Sequence, residues 1–152
     1  EYSDVCRNMV LEITEAENDD PEHLRKKIDF VRGQNIPIAI DDYGSGYSNE
    51  SRILSLQADI VKIDINLVSG IDANPDKRQL VKNIVSFCHQ KGIRLVGEGI
   101  ETREELAALM GVGVDYGQGY YIMRPQFELA ALPAEITEEI RALVKKRGLV
   151  RR

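Results

Sequence analysis

The chain has 152 residues, with 20 basic and 25 acidic side chains and a formal net charge of −5; 43% is hydrophobic and 30% charged. These proportions exclude disorder as the default, because enough apolar surface exists to offset chain entropy, and they suit one core rather than two. No apolar run approaches the ~20 residues that a membrane-crossing helix needs. The first residues carry no secretory-leader pattern, and the expected location is cytoplasmic, with a parent that an upstream segment could tether to a membrane. The opening Glu1-Tyr2-Ser3, without Met, points to a processed product or a piece of something longer.

Cys6 and Cys88 are the only cysteines, and His23 and His89 the only histidines. Two cysteines argue against a disulfide framework or a Cys-based zinc site. There is no His-x-x-x-His pair, and a Ser-His-Asp triad has almost no candidate base. Cys88 falls in a helical apolar pattern and reads as a small buried hydrophobe. Both histidines fall among charged residues on expected helices and read as rim residues. Charge is uneven: residues 1–50 carry five basic and twelve acidic groups, and residues 141–152 carry six basic groups and no acid. The basic end has no interleaved aromatics, so it reads as a cationic helix C-terminus running into a tail, not as a binder of nucleic acid polymers.

In chain order, Val10–Ile13 reads as a strand. Asp20-Pro21 opens a helix striped by Leu24, Ile28 and Val31 and ended by Gly33. Ile38–Ile40 is a strand that ends at Asp41-Asp42, followed by a Gly44-Ser45-Gly46 loop. A short helix near Ser51–Leu56 leads to the strand Ile60–Ile63. Asn74-Pro75 starts a helix striped by Leu80, Val81, Ile84, Val85 and Cys88 and stopped by Gly92. Ile93–Val96 is the next strand. Thr102 and Glu105 form a capping box for a helix through Leu106 and Leu109, which Gly111 stops. A last strand is expected near Tyr120–Ile122. Pro133 opens a terminal helix with Ile136, Ile140, Leu143 and Val144 on one face, which Gly148 ends. Such alternation with short connections predicts parallel βαβ units, about five strands in one α/β unit with no internal sequence repeat.

Polar residues mark the strand ends: Glu12 and Glu15, Asp41 and Asp42, Lys62 and Asp64, then Glu98 and Glu101, with Gln118 near the last strand. Parallel strands place their carboxyl ends on one face, where α/β barrels build active sites. Glu12, Asp41, Asp42, Asp64 and Glu98 should therefore converge on one mouth. Crowded carboxylates take up protons or hold a cation. With oxygen donors only, Mg²⁺ or Mn²⁺ is the natural ion and Ca²⁺ the competitor. Lys62 balances the charge or holds a water or phosphate oxygen. The plain alternative is a set of helix caps and surface acids. Four Gly-x-Gly pairs occur, but none completes Gly-x-Gly-x-x-Gly and no Walker loop exists, which argues against a dinucleotide fold.

Five segments in order carry a resemblance: Leu11–Glu15, Ile40–Ser48, Val61–Asp64, Gly97–Thr102, and Gly117–Tyr121 with Arg124-Pro125. Together they resemble the motifs of the EAL domain family, cyclic-di-GMP phosphodiesterases on a modified (β/α)8 barrel, over about residues 9–126. The resemblance implies a metal-binding role for Glu12, and one or two Mg²⁺ or Mn²⁺ ions on Asp41 and Asp42. It implies a water-positioning Lys62, and a Glu98 in the metal and water network. It implies second-shell or substrate-side roles for Asp64, Glu101, Gln118 and Pro125. It also implies control of the loop after the aspartates by Glu15, Gly44, Ser45 and Gly46. The implied reaction is one P–O cleavage of cyclic-di-GMP to the linear dinucleotide.

The sequence departs from the family pattern at Gly97, where alanine is usual, and at Asn49-Glu50. The Glu-Ala-Leu motif and an asparagine ligand are absent, and both belong to strands that would precede residue 1. A closed barrel needs about 250 residues, so the expectation is an incomplete (β/α)8 barrel, residues 1–147, with a basic tail at 148–152. An unpaired barrel edge predicts self-association. The implied parent is an enzyme, with a sensor or diguanylate-cyclase-like domain possible upstream. The competing readings are a non-catalytic module binding cyclic-di-GMP or a protein partner, and an enolase-like Mg²⁺ barrel.

Overall fold

Apolar strand segments and amphipathic helices alternate through the computed structural model, which describes residues 9–14, 20–45, 50–128 and 130–146. The strands are β1 (Leu11–Thr14), β2 (Ile38–Tyr43), β3 (Ile60–Ile63), β4 (Arg94–Gly97) and β5 (Tyr116–Gly117). The helices are α1 (Pro21–Gly33), α2 (Glu50–Leu56), α3 (Ile65–Val68), α4 (Pro75–Gln90), α5 (Arg103–Val112) and α6 (Ala134–Lys146). All neighbouring strands pair in parallel, in the sequential order β1-β2-β3-β4-β5. A doubly wound sheet would reverse its order partway; this one does not, as expected for an arc of a (β/α)8 barrel. Among the described residues no helix is long and apolar enough to cross a membrane.

The core lies between sheet and helices. Ile38, Ala39 and Ile40 are consecutive and all buried, the run expected of a parallel strand covered on both faces. On α4 the buried stripe is Val81, Ile84, Val85 and Cys88; Leu80, expected in it, is 48% exposed. Burial pushes the Cys88 thiol up to about 11, helped by the charges of Asp115 and Glu50, which suits an inert packing role. His23 and His89 are exposed. Leu143 is buried on α6.

Several boundaries differ from expectation. Helix α5 runs through Gly111 to Val112, and Gly113, at φ 100°, takes the left-handed cap position. Glycine costs about 1 kcal/mol inside a helix, which the surrounding packing tolerates; the stop needs positive φ. The last strand is Tyr116–Gly117, not Tyr120–Ile122, which lies in a turn closed by Ile122 and Met123 N–H donating to Gly119 O. The aromatic pair has strand propensity, but the ladder partners of Val96 and Gly97 are Tyr116 and Gly117. Asp20 occupies the α1 cap position without a capping side-chain bond, whereas Asn74 accepts from Asp76 N and Lys77 N. Four-residue α3 is too short to carry a periodic signal in the sequence. Cys6, Glu15, Gly46, Asn49, Gly148 and the basic tail at 148–152 lie outside the described residues.

The lower rim repeats one device that sequence comparison along the chain does not reveal. Asp59 Oδ2 accepts Ile38 N at 2.8 Å and pairs with Arg32 from the end of α1. Asp115 Oδ2 accepts Leu95 N at 2.9 Å and meets His89 Nε2 from the end of α4 at 3.0 Å. Each aspartate sets the register of the preceding strand. Asp59→Ala leaves the N–H of fully buried Ile38 unpaired, and should lower stability by about 2 kcal/mol in urea unfolding.

Candidate active site

The strand ends build the site because β2 is irregular there. Ile40 pairs with Val61 and Tyr43 with Ile63, so Asp41 and Asp42 together face the single residue Lys62. Such a bulge re-aims side chains at a rim. It also sets Asp42 at φ 56°, a left-handed conformation that Asp tolerates better than most residues. Directly afterwards Gly44, at φ 107°, holds a conformation that strains any side chain, and an added Cβ would lie 2.3 Å from Leu67 Cδ1, which would have to shift. Ser45 N donates to Asp42 O and closes that turn.

Lys62 stands at the centre. Its Nζ lies 2.8 Å from Asp41, 3.0 Å from Glu98 and 3.2 Å from Glu12. Burial works against its charge, but the hydrogen bonds to Asp41, Glu98 and Glu12 outweigh it and raise its pKa, so it stays an ammonium. Burial would raise Asp41, yet Lys62 and the Asp42 N–H hold it below the usual value. Glu98 is raised, by burial first and by the Asp41 charge, with Lys62 only partly offsetting them. The two neighbouring acids are thus pushed apart, the pattern that separates a permanent anion from a group able to exchange a proton.

One carboxylate oxygen from each of Asp41, Asp42 and Glu98 can be chosen so that all three lie within 4.8 Å of one another. This all-oxygen donor set fits a hard divalent cation such as Mg²⁺ or Mn²⁺. Glu12, its side chain half exposed, joins the group through Lys62.

A cleft of about 470 Å³ opens beside these groups. It is lined by Asp42, Asp64, Glu98, Glu101, Gln118 and Pro125, so the expected substrate-side residues meet in one place. Gln118 follows β5 rather than preceding a later strand, which puts it at a strand end like the others. Asp64 is occupied: its Oδ1 accepts Asn66 N at 2.8 Å and Asn66 Nδ2 at 2.6 Å, capping α3. The cleft also holds Tyr120 and Met123, and the Arg124 guanidinium lies 4.5 Å from the Tyr120 ring centroid. Tyr120 was missed as a lining residue because its propensity suggested a strand. A larger groove of about 710 Å³ between α4 and α5 is lined by none of the clustered carboxylates or Lys62.

Glu105 has more to do than close a capping box. Its Oε2 accepts Glu101 N and Thr102 N, and its Oε1 accepts Gly70 N at 2.9 Å from 35 positions away. Burial would raise this carboxyl, but those backbone donors hold it below the usual value. A carboxylate depressed in the folded state adds stability that is complete above its unfolded pKa of about 4.3. That stability is lost as the pH falls through the lower folded value. Urea midpoints should therefore fall less steeply with acid in Glu105→Gln than in the parent chain.

The sequence profile of the EAL domain family matches residues 1–125. The probable cyclic di-GMP phosphodiesterase PdeG of Escherichia coli K12 is 35% identical over 78% of this chain, which spans 24% of that protein. A standalone EAL protein from Vibrio cholerae O395, solved with cyclic-di-GMP, superimposes with a TM-score of 0.79 at 33% identity, over 87% of this chain and 56% of that one. Klebsiella pneumoniae BlrP1, solved with manganese and cyclic-di-GMP, gives 0.73 at 37% identity, over 76% and 30%. These relatives are all longer than the chain described above.

Proposed function

The chain belongs to the EAL domain family, and from that premise we propose that it forms part of the mouth of a metal-dependent phosphodiesterase that opens cyclic-di-GMP to the linear dinucleotide. The observation that carries this is the Lys62 ammonium within 3.2 Å of Glu12, Asp41 and Glu98, with Asp42 beside them.

On this reading Glu12, Asp41, Asp42 and Glu98 would hold the cation. A divalent ion there supplies charge screening for the substrate phosphate and a more acidic water. Lys62 keeps its proton, neutralises part of the acid cluster and orients a water or phosphate oxygen through Nζ. Glu98 would accept a proton from the water as that water's oxygen bonds to phosphorus, and the ribose oxygen released when the P–O ester bond breaks would take up a proton from solvent. Gln118, Glu101, Tyr120 and Pro125 shape the cleft in which the rest of the dinucleotide lies. Gly44 and Ser45 fix the turn after the aspartates, and Glu15 and Gly46 belong to the same loop control. The parent enzyme would work in the cytoplasm, free or tethered to a membrane by an upstream segment, and would self-associate; an upstream sensor or diguanylate-cyclase-like domain would supply its input. Residues 1–147 form part of its barrel and 148–152 a basic tail.

The test is cyclic-di-GMP hydrolysis with Mn²⁺ by this chain and by the same chain extended upstream to the length of an EAL domain. Linear dinucleotide from the extended form is the expected result. Tight binding by it without turnover would favour the non-catalytic module, and neither binding nor turnover would overturn both.

A further inference from the structure

Resting on that reading, we propose that Glu105 is a positioning residue, which holds the β4–α5 loop against the turn after α3 so that Glu98 and Lys62 keep their spacing. Glu105 lies in the first turn of α5, is not among the residues lining the cleft, and is 5% exposed. Capping accounts for only half of what its carboxylate does. Oε2 and the return bond from Glu105 N to Thr102 Oγ1 complete the capping box. Oε1 is not needed for that, and reaches instead to Gly70 N.

The two segments joined are those that carry the site. Gly70 follows α3, which grows directly from the end of β3 with Lys62 and Asp64. Glu101 and Thr102 follow Glu98, whose own N–H donates to Ile63 O at 3.1 Å. An apolar contact lies between the same segments: a Cβ at Gly99 would meet Ile65 Cγ1 at 2.4 Å. Apolar contact is non-directional and permits sliding, whereas three hydrogen bonds to one buried carboxylate set a register. Groups behind a metal or catalytic set act in this way, and their loss typically weakens metal affinity 10–100-fold.

The experiment compares Glu105→Gln and Glu105→Asp with Thr102→Val in this chain. Glutamine keeps the shape, but its amide presents N–H where one set of backbone donors needs an acceptor. Aspartate keeps the charge on an arm too short to span both loops. Thr102→Val weakens the helix cap and leaves all three Glu105 bonds. Amide exchange at Gly70 and Glu98 should accelerate at least tenfold in both Glu105 variants. At Glu98 it should change less than about twofold in Thr102→Val, compared at equal global stability. Mn²⁺ affinity from electron paramagnetic resonance should fall about tenfold in the Glu105 variants only. Parent-like exchange at Glu98 in both Glu105 variants would overturn the proposal and leave Glu105 a helix cap. A parent chain that binds no Mn²⁺ would count against the cation site, while the exchange data would still decide the role of Glu105.

Discussion

A Lys62→Met variant of the full catalytic domain should bind Mn²⁺ at least as tightly as the parent and yet lose about 10³-fold in turnover. The two effects have opposite signs because one ammonium does two things. Its Nζ lies 2.8–3.2 Å from three carboxylates, so it competes with any cation for the same oxygens, and removing it frees them. It is also the only cation among the described residues with ion pairs to that cluster, so removing it takes away the donor that orients a water or phosphate oxygen. Methionine keeps the length and apolar stem of the side chain. Equal loss of metal binding and turnover would make Lys62 a structural counter-ion instead.

Gly119→Ala should destabilise the chain by about 3 kcal/mol and open the cleft. A Cβ there would lie 2.2 Å from both Ile100 N and Ile100 O, backbone atoms that cannot step aside. Those two atoms carry the bonds that seat the Gln118–Tyr121 segment: Ile100 N donates to Gln118 O, and Tyr121 N donates to Ile100 O. Alanine would break one or both and move Gln118 and Tyr120 away from Glu98. Gly97 offers a contrast. An added Cβ meets Leu109 Cδ1 at 2.7 Å, the tip of a flexible side chain, so the alanine usual in the family should cost only about 1 kcal/mol. Urea midpoints for the two variants check the contrast, and a parent-like midpoint for Gly119→Ala would contradict it.

The strand-end acids were legible because they depend on two simple regularities: apolar runs mark parallel strands, and parallel strands end on one face. Glu12, Asp41, Asp42, Lys62 and Glu98 needed nothing more to be placed together. The bulge that turns Asp41 and Asp42 to the same side was not legible, since it depends on the register between β2 and β3 and not on either sequence alone. Glu105 was read as half of a local capping motif, which it is; its bond to Gly70 crosses 35 positions and leaves no local signature. Tyr120 and Tyr121 misled for a related reason. Their propensity favours a strand, but the backbone of Ile100 holds them in a turn, and tertiary bonding outweighs a preference worth under ~1 kcal/mol. Gly111 and Gly113 show the same limit on a smaller scale: both are glycine, and only the chain geometry at Gly113 demands it.

The carboxylates around Lys62 are expected to act as one divalent-cation site. The most direct test is an electron paramagnetic resonance titration of Mn²⁺ into the chain and into Asp41→Asn/Asp42→Asn. Asparagine tolerates the left-handed backbone of position 42 as aspartate does, so the fold is kept while two anionic donors are lost. The predicted result is saturable binding by the parent chain that weakens about 100-fold or more in the double variant. Equal affinity in the two proteins would place the ion elsewhere and rule out this site.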